Sequence, residues 1–484
     1  MKNELNKHQQ VLRAAYRAWS NCASLRCSRT RNKNFTYGKQ WNDLTSGTDG
    51  NIVTEEQKLR DMGKEPITNN LMRQMVKNIV GRFRSNLHKT DEAKQMPNPE
   101  IASYNQLDEI DSRALEEFLI SGCCIQRVDF CHMAPCGIRV DNVNFNRFFI
   151  NAIQDTRAWD CEIVGQIHDL SLAELIRRTG SRGNRTRAAS IRELYCSEDL
   201  AGAIADFTTR MGLDNQWGED FWYASNGKLR AIEVWTLESR EVLKCHDHKI
   251  ARLFSCPITA FDNIDRENKR RREAHQPPIT TEWDFDSVWR CRWFSPMGDL
   301  LADYLSPFDH GSHPFVTKFY PLTDGEVHSF VEDVIDQQKY VNRLITLIDH
   351  IMGASAKGVL LFPDNALPNG FSWSDIRRVW SSTNGIIPYS PHPSGEAPQQ
   401  ISSNATDIGA YDMLQIQMKL FEDISGVNNA LKANCRRRQS EPTLSDNKST
   451  MPPLPLPTFS THSMPSVPTA TAKSPIADAL IQKQ

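Results

Sequence analysis

Apolar residues recur at helical steps in several long stretches of this chain and alternate in others. The spacing predicts a helix from Glu4 to about Trp19. An irregular stretch follows that holds "FTYGKQW", with a turn at Gly38 between aromatic residues. In "LRDMGKEPITNNLMRQMVKNIVGRFRSN", Leu71, Met75, Ile79 and Phe83 follow one another at steps of four, behind the cap candidates Thr68, Asn69 and Asn70. That is an amphipathic helix with one apolar stripe turned to a partner. A second helix, around Ile110 to Leu119, leads through Ser121-Gly122 into "CIQRVDF" and "CGIRVDNVNF", whose alternation predicts a strand pair. Ser171 with Glu174 three residues later has the spacing of a capping box, so a new helix opens there.

Farther along, "KLRAIEVWT" and parts of 286–293 and 314–320 alternate as strands, with the charged "RENKRRREAHQPP" read as a loop between them. Val334, Val341, Ile345, Ile348 and Met352 define a long helix that ends at Gly353, and a short strand covers Val359 to Phe362. A last helix, from about Asp407 to Ile424, carries Leu414, Ile416, Met418, Leu420, Phe421 and Ile424. These cannot share one narrow face, so the helix needs cover on two sides, inside a core or between subunits. The fold class expected is α+β. The pattern fails after Asn434: the last fifty residues hold eight of the 25 prolines and almost no apolar period, the composition of a disordered tail.

Composition changes this picture little. The 484 residues are enough for two or three domains, and 39% hydrophobic and 24% charged residues with a net charge of −2 describe an ordinary soluble protein. Contact with nucleic acid must therefore be local or repulsive. No apolar run reaches the ~20 residues of a membrane helix, the N-terminus is polar, and a cytosolic setting with no membrane partner is expected. The twelve scattered cysteines read as reduced thiols.

Candidate chemistry is sparse. Cys245, His246, His248 and Cys256 have the atom types for zinc, as do Cys123, Cys124, Cys131, His132 and Cys136, but neither spacing is a specific zinc motif. On an alternating strand Cys245 and His246 point to opposite faces, so a joint site needs a bulge or turn. The basic runs Arg177 to Arg187 and Lys269 to Arg272 could neutralise phosphates, or could be solvated faces, and aromatic residues do not interleave with them. Glu332, Asp333 and Asp336 could belong to a metal nuclease, yet the start of a helix also favours acidic residues. No nucleotide loop, nucleophile elbow or H-E-x-x-H is present, and no catalytic residue, metal or cofactor is expected.

"FTYGKQW" followed by "LRDMGKEPITNNLMRQMVKNIVGRFRSN" resembles the opening of portal proteins of tailed bacteriophages, especially the short-tailed type. Gly38, Gln40, Trp41, Arg60, Gly63, Pro66, Asn69 and Gly81 are the matching positions. Three later stretches are similar in the same order: "FFINAIQDTRAWDCEIVGQIHDLSLAEL", the segment from His313 to Phe362 with Gln338, Asn342 and Lys357, and "DMLQIQMKLFEDISGVNNALK" with Ser425 and Gly426. The similarity runs from about residue 30 to 433 and is weaker over 185–285. One departure is Asn151, where many members carry Asp.

The resemblance implies a ring of about twelve copies at one vertex of the procapsid and later the virion, assembled in the host cytoplasm. Double-stranded DNA would be packaged and ejected through it without catalysis. It implies an N-terminal helical arm (1–30), a wing-like α/β body (31–325), a first stem helix (326–354), a strand-containing clip (355–400) and a second stem helix (401–433). Partners would be the terminase large subunit, a head-tail adaptor, capsid or scaffold proteins, and the DNA. Asp407, Asp412, Glu422 and Asp423 are candidates to face the channel, where acidic groups avoid gripping phosphates. Members continue past "SGVNNAL" with further helix, so a reading-frame shift near Asn434 is expected to have produced the residues 434–484, in a phage or prophage gene. Such a product would form weak or no rings. Rival expectations are a metal-dependent DNA-processing enzyme and a structural head-tail adaptor.

Overall fold

The computed structural model of the chain describes residues 2–47, 50–87, 99–130, 137–151, 154–179, 185–196, 200–212, 219–224, 227–355, 359–364, 367–381, 386–390, 397–401 and 409–427. Cys131, His132, Cys136, Lys357, Asp407 and the whole of 434–484 lie outside them. In chain order the elements are α1 (Lys2–Asn21), α2 (Ala23–Thr36), β1 (Leu44–Ser46), β2 (Ile52–Thr54), α3 (Glu55–Asp61), α4 (Leu71–Leu87), α5 (Pro99–Asn105), α6 (Leu107–Ser121), β3 (Cys123–Phe130), β4 (Ile138–Asn142), β5 (Phe148–Ile150) and β6 (Ile163–Leu170). Then come α7 (Leu172–Thr179), α8 (Arg185–Tyr195), α9 (Leu200–Met211), α10 (Glu219–Trp222), β7 (Leu229–Asp247), β8 (Arg252–Pro257), α11 (Phe261–Glu273), β9 (Ile279–Phe294), β10 (Leu300–Leu305) and β11 (Phe315–Phe319). The rest are β12 (Leu322–Thr323), β13 (Glu326–Val327), α12 (Glu332–Ser355), β14 (Val359–Leu361), α13 (Trp373–Ser381), β15 (Gln399–Ile401) and α14 (Ala410–Ser425). Helices and antiparallel strands together make the mixed α+β class expected. Among the described residues no helix is long and apolar enough to cross a membrane.

The described residues divide into two compact units that are discontinuous in sequence, one of 2–31 and 79–329, the other of 32–78 and 330–427. The first is built on an antiparallel sheet in the order β10-β9-β7-β6-β5, with β8 added to the outer half of β7, and on a second sheet in the order β11-β3-β4. The alternation of "AIEVW" separates two dry faces here, not a dry one and a wet one, because every residue from Arg230 to Thr236 is buried. Ala231 and Trp235 join Cys123, Ile125, Phe148, Phe315 and Trp293 in one core. Ile232 and Val234 join Leu12, Tyr16, Trp19, Phe149, Phe207 and Phe294 in the other. The buried positions Leu12, Ala15, Tyr16 and Trp19 lie at the three- and four-residue steps that predict α1, so that helix covers the second face.

Two helices depart from the sequence reading. The α2 segment carries polar and basic residues without an apolar period, and is held by docking: Arg29 forks onto Glu117, and Leu25 packs on the first core. Part of the supposed "RENKRRREAHQPP" loop is helical in α11, which buries Ile264 and pairs Arg271 with Asp247 at 2.7 and 2.8 Å. Its acid-base pairs Asp265–Lys269 and Glu267–Arg271 stand four residues apart, where helical side chains meet. The long helix α12 also continues to Ser355, two residues past Gly353, within the range over which helix ends commonly fray.

Gly165 on β6 sits under the Phe149 ring: an added Cβ would lie 2.3 Å from that ring and 2.2 Å from the Glu233 carbonyl oxygen. Gly165→Ala is therefore expected to destabilise the unit by about 3 kcal/mol. A calorimetric melting curve checks this, and an unchanged midpoint would refute it.

Candidate functional site

The motif residues that share no chemistry in the sequence converge in the second unit, along α12. Gln338, Asn342 and Thr346 follow one another at steps of four, so they form one stripe on that helix, and all three are buried. The stripe faces the extended residues before α4, whose backbone groups have no strand partner. Gln338 Oε1 accepts from the N–H groups of Leu71 and Met72 at 3.0 and 3.2 Å. Its Nε2 donates to the Asn69 carbonyl at 2.7 Å and to Asn342 Oδ1 at 3.0 Å. Both donors and both acceptor sites of the amide are thereby used. Asn342 Oδ1 takes the Asn69 N–H at 3.0 Å, and Thr346 Oγ1 takes that of Ile67 at 3.1 Å.

The "GKQW" element closes the network from the other side. Asn342 Nδ2 donates to Gln40 Oε1 at 2.5 Å, and Gln40 Nε2 donates to the Phe35 carbonyl at 2.7 Å and to Asn70 Oδ1 at 3.2 Å. Asn70 is the cap of α4, since its Oδ1 accepts from the Arg73 N–H at 2.9 Å. Trp41 donates its indole N–H to Thr68 Oγ1 at 3.0 Å. Gly38 turns the chain between them at φ +94°, in the left-handed region where a side chain is strained. Around this network Lys339 pairs with Asp43 and lies 3.8 Å from Glu55, which also receives Arg343 at 2.8 Å.

The remaining motif positions do less within the chain. Gly63, at φ +71°, ends α3 by donating its N–H to the Arg60 carbonyl, while the Arg60 side chain makes a surface pair with Glu56. Pro66 precedes the extended segment held by α12. Gly81 is exposed, and an added methyl there would meet no atom within 4 Å. Ser425 and Gly426 stop α14: Ser425 Oγ accepts from the Val427 N–H at 3.3 Å, and Gly426 takes φ +63°.

Helix α14 packs along α12. It buries Phe421 and Ser425 and leaves Met413, Ile416, Leu420 and Ile424 between 40% and 52% exposed. At 100° per residue these four form a stripe beside the packed face. Asp412, Gln415, Lys419 and Asp423 share the face roughly opposite Phe421, and Glu422 lies about 100° from it, at the edge of the packed face. The chain itself thus covers one of the two apolar sides that the sequence pattern requires to be covered.

The thiol and imidazole clusters separate. Cys123 and Cys124 are neighbours on β3, buried in different cores, and burial pushes the Cys124 thiol up to about 12. On β7, Cys245 lies in a small core with Cys256 packed against it, while the His246 ring meets that of His248 at a tilt of 56°. Among the described residues no group of three or more His, Cys, Asp or Glu side chains could hold a metal ion. Of the basic runs, Arg177 and Arg178 pair with Glu174, and Arg187 donates to the Leu301 carbonyl. Ser171 Oγ accepts from the Glu174 N–H at 3.3 Å, the forward half of the capping box, but the Glu174 carboxylate turns to those arginines.

Sequence reasoning overlooked Glu233, which is fully buried on β7 in the first unit. It accepts from Arg127, from His168 Nε2 at 2.7 Å and from Trp235 Nε1 at 2.8 Å. The signal was present: in "AIEVW" the carboxylate shares a strand face with Ala231 and Trp235. Burial opposes its charge, and the Arg127 guanidinium and the His168 ring outweigh that and hold its carboxyl well below the usual carboxylate range.

No curated protein sequence matches the chain. A family model described as "Phage P22-like portal protein" matches residues 99–444, well over half of its length and including α12 and α14. The chain belongs to the phage P22-like portal protein family.

Proposed function

We propose that the chain is the repeating subunit of a portal ring of about twelve copies, through which double-stranded DNA enters and leaves a phage head without any bond chemistry. In this reading 31–325 carries the outer wing, α12 and α14 are the stem pair, 355–400 is the clip, and 1–30 is an arm. Terminase large subunit, a head-tail adaptor and capsid or scaffold proteins are the partners, and the virion vertex is the place. The supporting observation is the apolar stripe Met413, Ile416, Leu420 and Ile424, which the chain leaves exposed beside the α12 contact. A closed ring buries two different faces of each subunit, and a second copy is the cover this stripe lacks. Asp412 and Asp423 then stand on the remaining polar face, with Glu422 at its edge, where negative charge keeps DNA phosphates from binding. Asp407 belongs to the same proposal and lies outside the described residues.

Residues 434–484 are proposed to be the product of a frame shift. Sequencing the gene tests this, and the absence of any one-base register change that opens a helix-rich frame would refute it. Light scattering and negative-stain images of the register-corrected protein are expected to give rings with a stained central hole, and the chain as it stands weak ones or none. Ile416→Asp in the corrected protein is expected to weaken assembly at least about tenfold, with unchanged circular dichroism. A corrected protein that stays monomeric would overturn the ring reading.

A further inference from the structure

The outer half of β7, together with β8 and α11, builds a satellite core of Leu243, Cys245, Ile264 and Ile279, against which Phe254 and Cys256 pack. Within it the sulfurs of Cys245 and Cys256 lie 3.5 Å apart. The register sets Cys245 opposite Phe254 and Leu243 opposite Cys256, so the cysteines are diagonal neighbours on one face of an antiparallel pair. Both thiols point at one acceptor, the Leu243 carbonyl, at 3.6 and 3.7 Å. His246, the next residue on the strand, faces the other way and its ring meets that of His248 at a tilt. Among the described residues no third ligand joins this dithiol, which favours sulfur–sulfur chemistry over metal binding.

We propose that Cys245 and Cys256 form a redox-sensitive pair that a small disulfide, of the glutathione class, converts to a cross-strand disulfide. Cys256 is half-buried and reacts first: its thiolate attacks one sulfur of the oxidant, the oxidant's S–S bond breaks, and one glutathione thiolate leaves and is protonated. The Cys245 thiolate then attacks the Cys256 sulfur and expels the second glutathione. Two protein thiols lose their protons and two electrons, and one glutathione disulfide becomes two glutathiones. Burial and the neighbouring thiol push the Cys245 pKa up, so the closing attack is the slow step. The sulfurs must close from 3.5 Å to about 2.0 Å. The bond ties β8, which among the described residues pairs with β7 alone, across a separation of 11 residues. It restrains an edge strand whose Leu253 is 76% exposed. The inference does not depend on ring assembly, and neither test bears on the other.

Full-length protein is treated with oxidised glutathione, alkylated with iodoacetamide without reduction, digested with trypsin and mapped by mass spectrometry. Lys249 and Arg252 lie between the two cysteines, so a bond appears as two joined peptides about 2 Da lighter than their sum. The joined pair, lost on adding dithiothreitol, is expected, with alkylation of both residues down at least about tenfold. Cys27 and Cys196 are exposed and serve as internal controls for the oxidant. In Cys245→Ser, Cys256 is expected to keep one glutathione. The proposal is overturned if the controls become glutathionylated while Cys245 and Cys256 alkylate as before. It is equally overturned if the wild-type protein stops at a Cys256–glutathione adduct. The wild-type map decides even where the variant does not fold.

Discussion

Glu233→Ala is expected to lower the stability of the sheet unit by about 3–5 kcal/mol. The carboxylate is completely buried and accepts from Arg127, His168 and Trp235, so its removal leaves an almost buried guanidinium without its main counter-charge. Asp129, which also takes Arg127 at 2.8 Å, is more exposed and compensates little. Because the cost lies in the orphaned charge, the double variant Arg127→Leu/Glu233→Leu should recover most of the loss. Urea unfolding followed by tryptophan fluorescence tests both statements. A single variant within about 1 kcal/mol of the parent would show that the network contributes little.

The same site predicts an acid limb. The folded-state pKa of Glu233 is below its unfolded value of about 4.3, so its contribution is fully present above that value and is lost as pH falls through the folded one. His168 is also lowered, first by burial, with its bond to Glu233 opposing. The unfolded chain therefore takes up the His168 proton first, and stability declines from about pH 6.5 downward. Below pH 4 the stability of Glu233→Gln should fall less steeply than that of the parent. Parallel acid limbs would contradict the assignment.

Gln338→Leu is the second large effect. The leucine fills the volume but strips the Gln338 bonds from the Leu71 and Met72 N–H groups and the Asn69 carbonyl, so that Leu71 and Asn69 keep only their mutual 3.0 Å contact, at about 1–3 kcal/mol for each buried bond lost. A total loss of about 3–5 kcal/mol is expected in the second unit, allowing for relaxation. Hydrogen exchange localises it: the Leu71 and Met72 amides should exchange at least about a hundredfold faster, while those of β6 and β7 keep their protection. Thr346→Val, which removes a single acceptor from the Ile67 N–H, should cost about 1–2 kcal/mol. Equal effects of the two variants would mean that the stripe is not an ordered network.

Much of the local structure was legible in the residues. The steps of four in Leu71 to Phe83, the apolar stripe of α1, the strand pair β3 and β4 and the cap at Ser171 all depend on neighbours a few positions away, and local periodicity reports those. The two elements that were misread, α2 and α11, lack an apolar period and are held by Arg29–Glu117 and Arg271–Asp247. An ion pair between distant segments leaves no periodic mark. The family motif was visible as residue types, but the partnership of Gln338 with Leu71 spans 267 positions and that of Asn342 with Asn69 spans 273.

By itself, then, the chain determined its helices and strands wherever burial repeats with the backbone period, and it determined that α14 has more apolar surface than one neighbour can cover. Only the tertiary structure decided that β7 is dry on both faces, that Glu233 is ionised inside a core, and that Gln40, Asn69, Gln338 and Asn342 are one hydrogen-bonded object. The reason is that periodicity is a property of adjacent residues, whereas the satisfaction of a buried polar group depends on which distant segment brings it a partner.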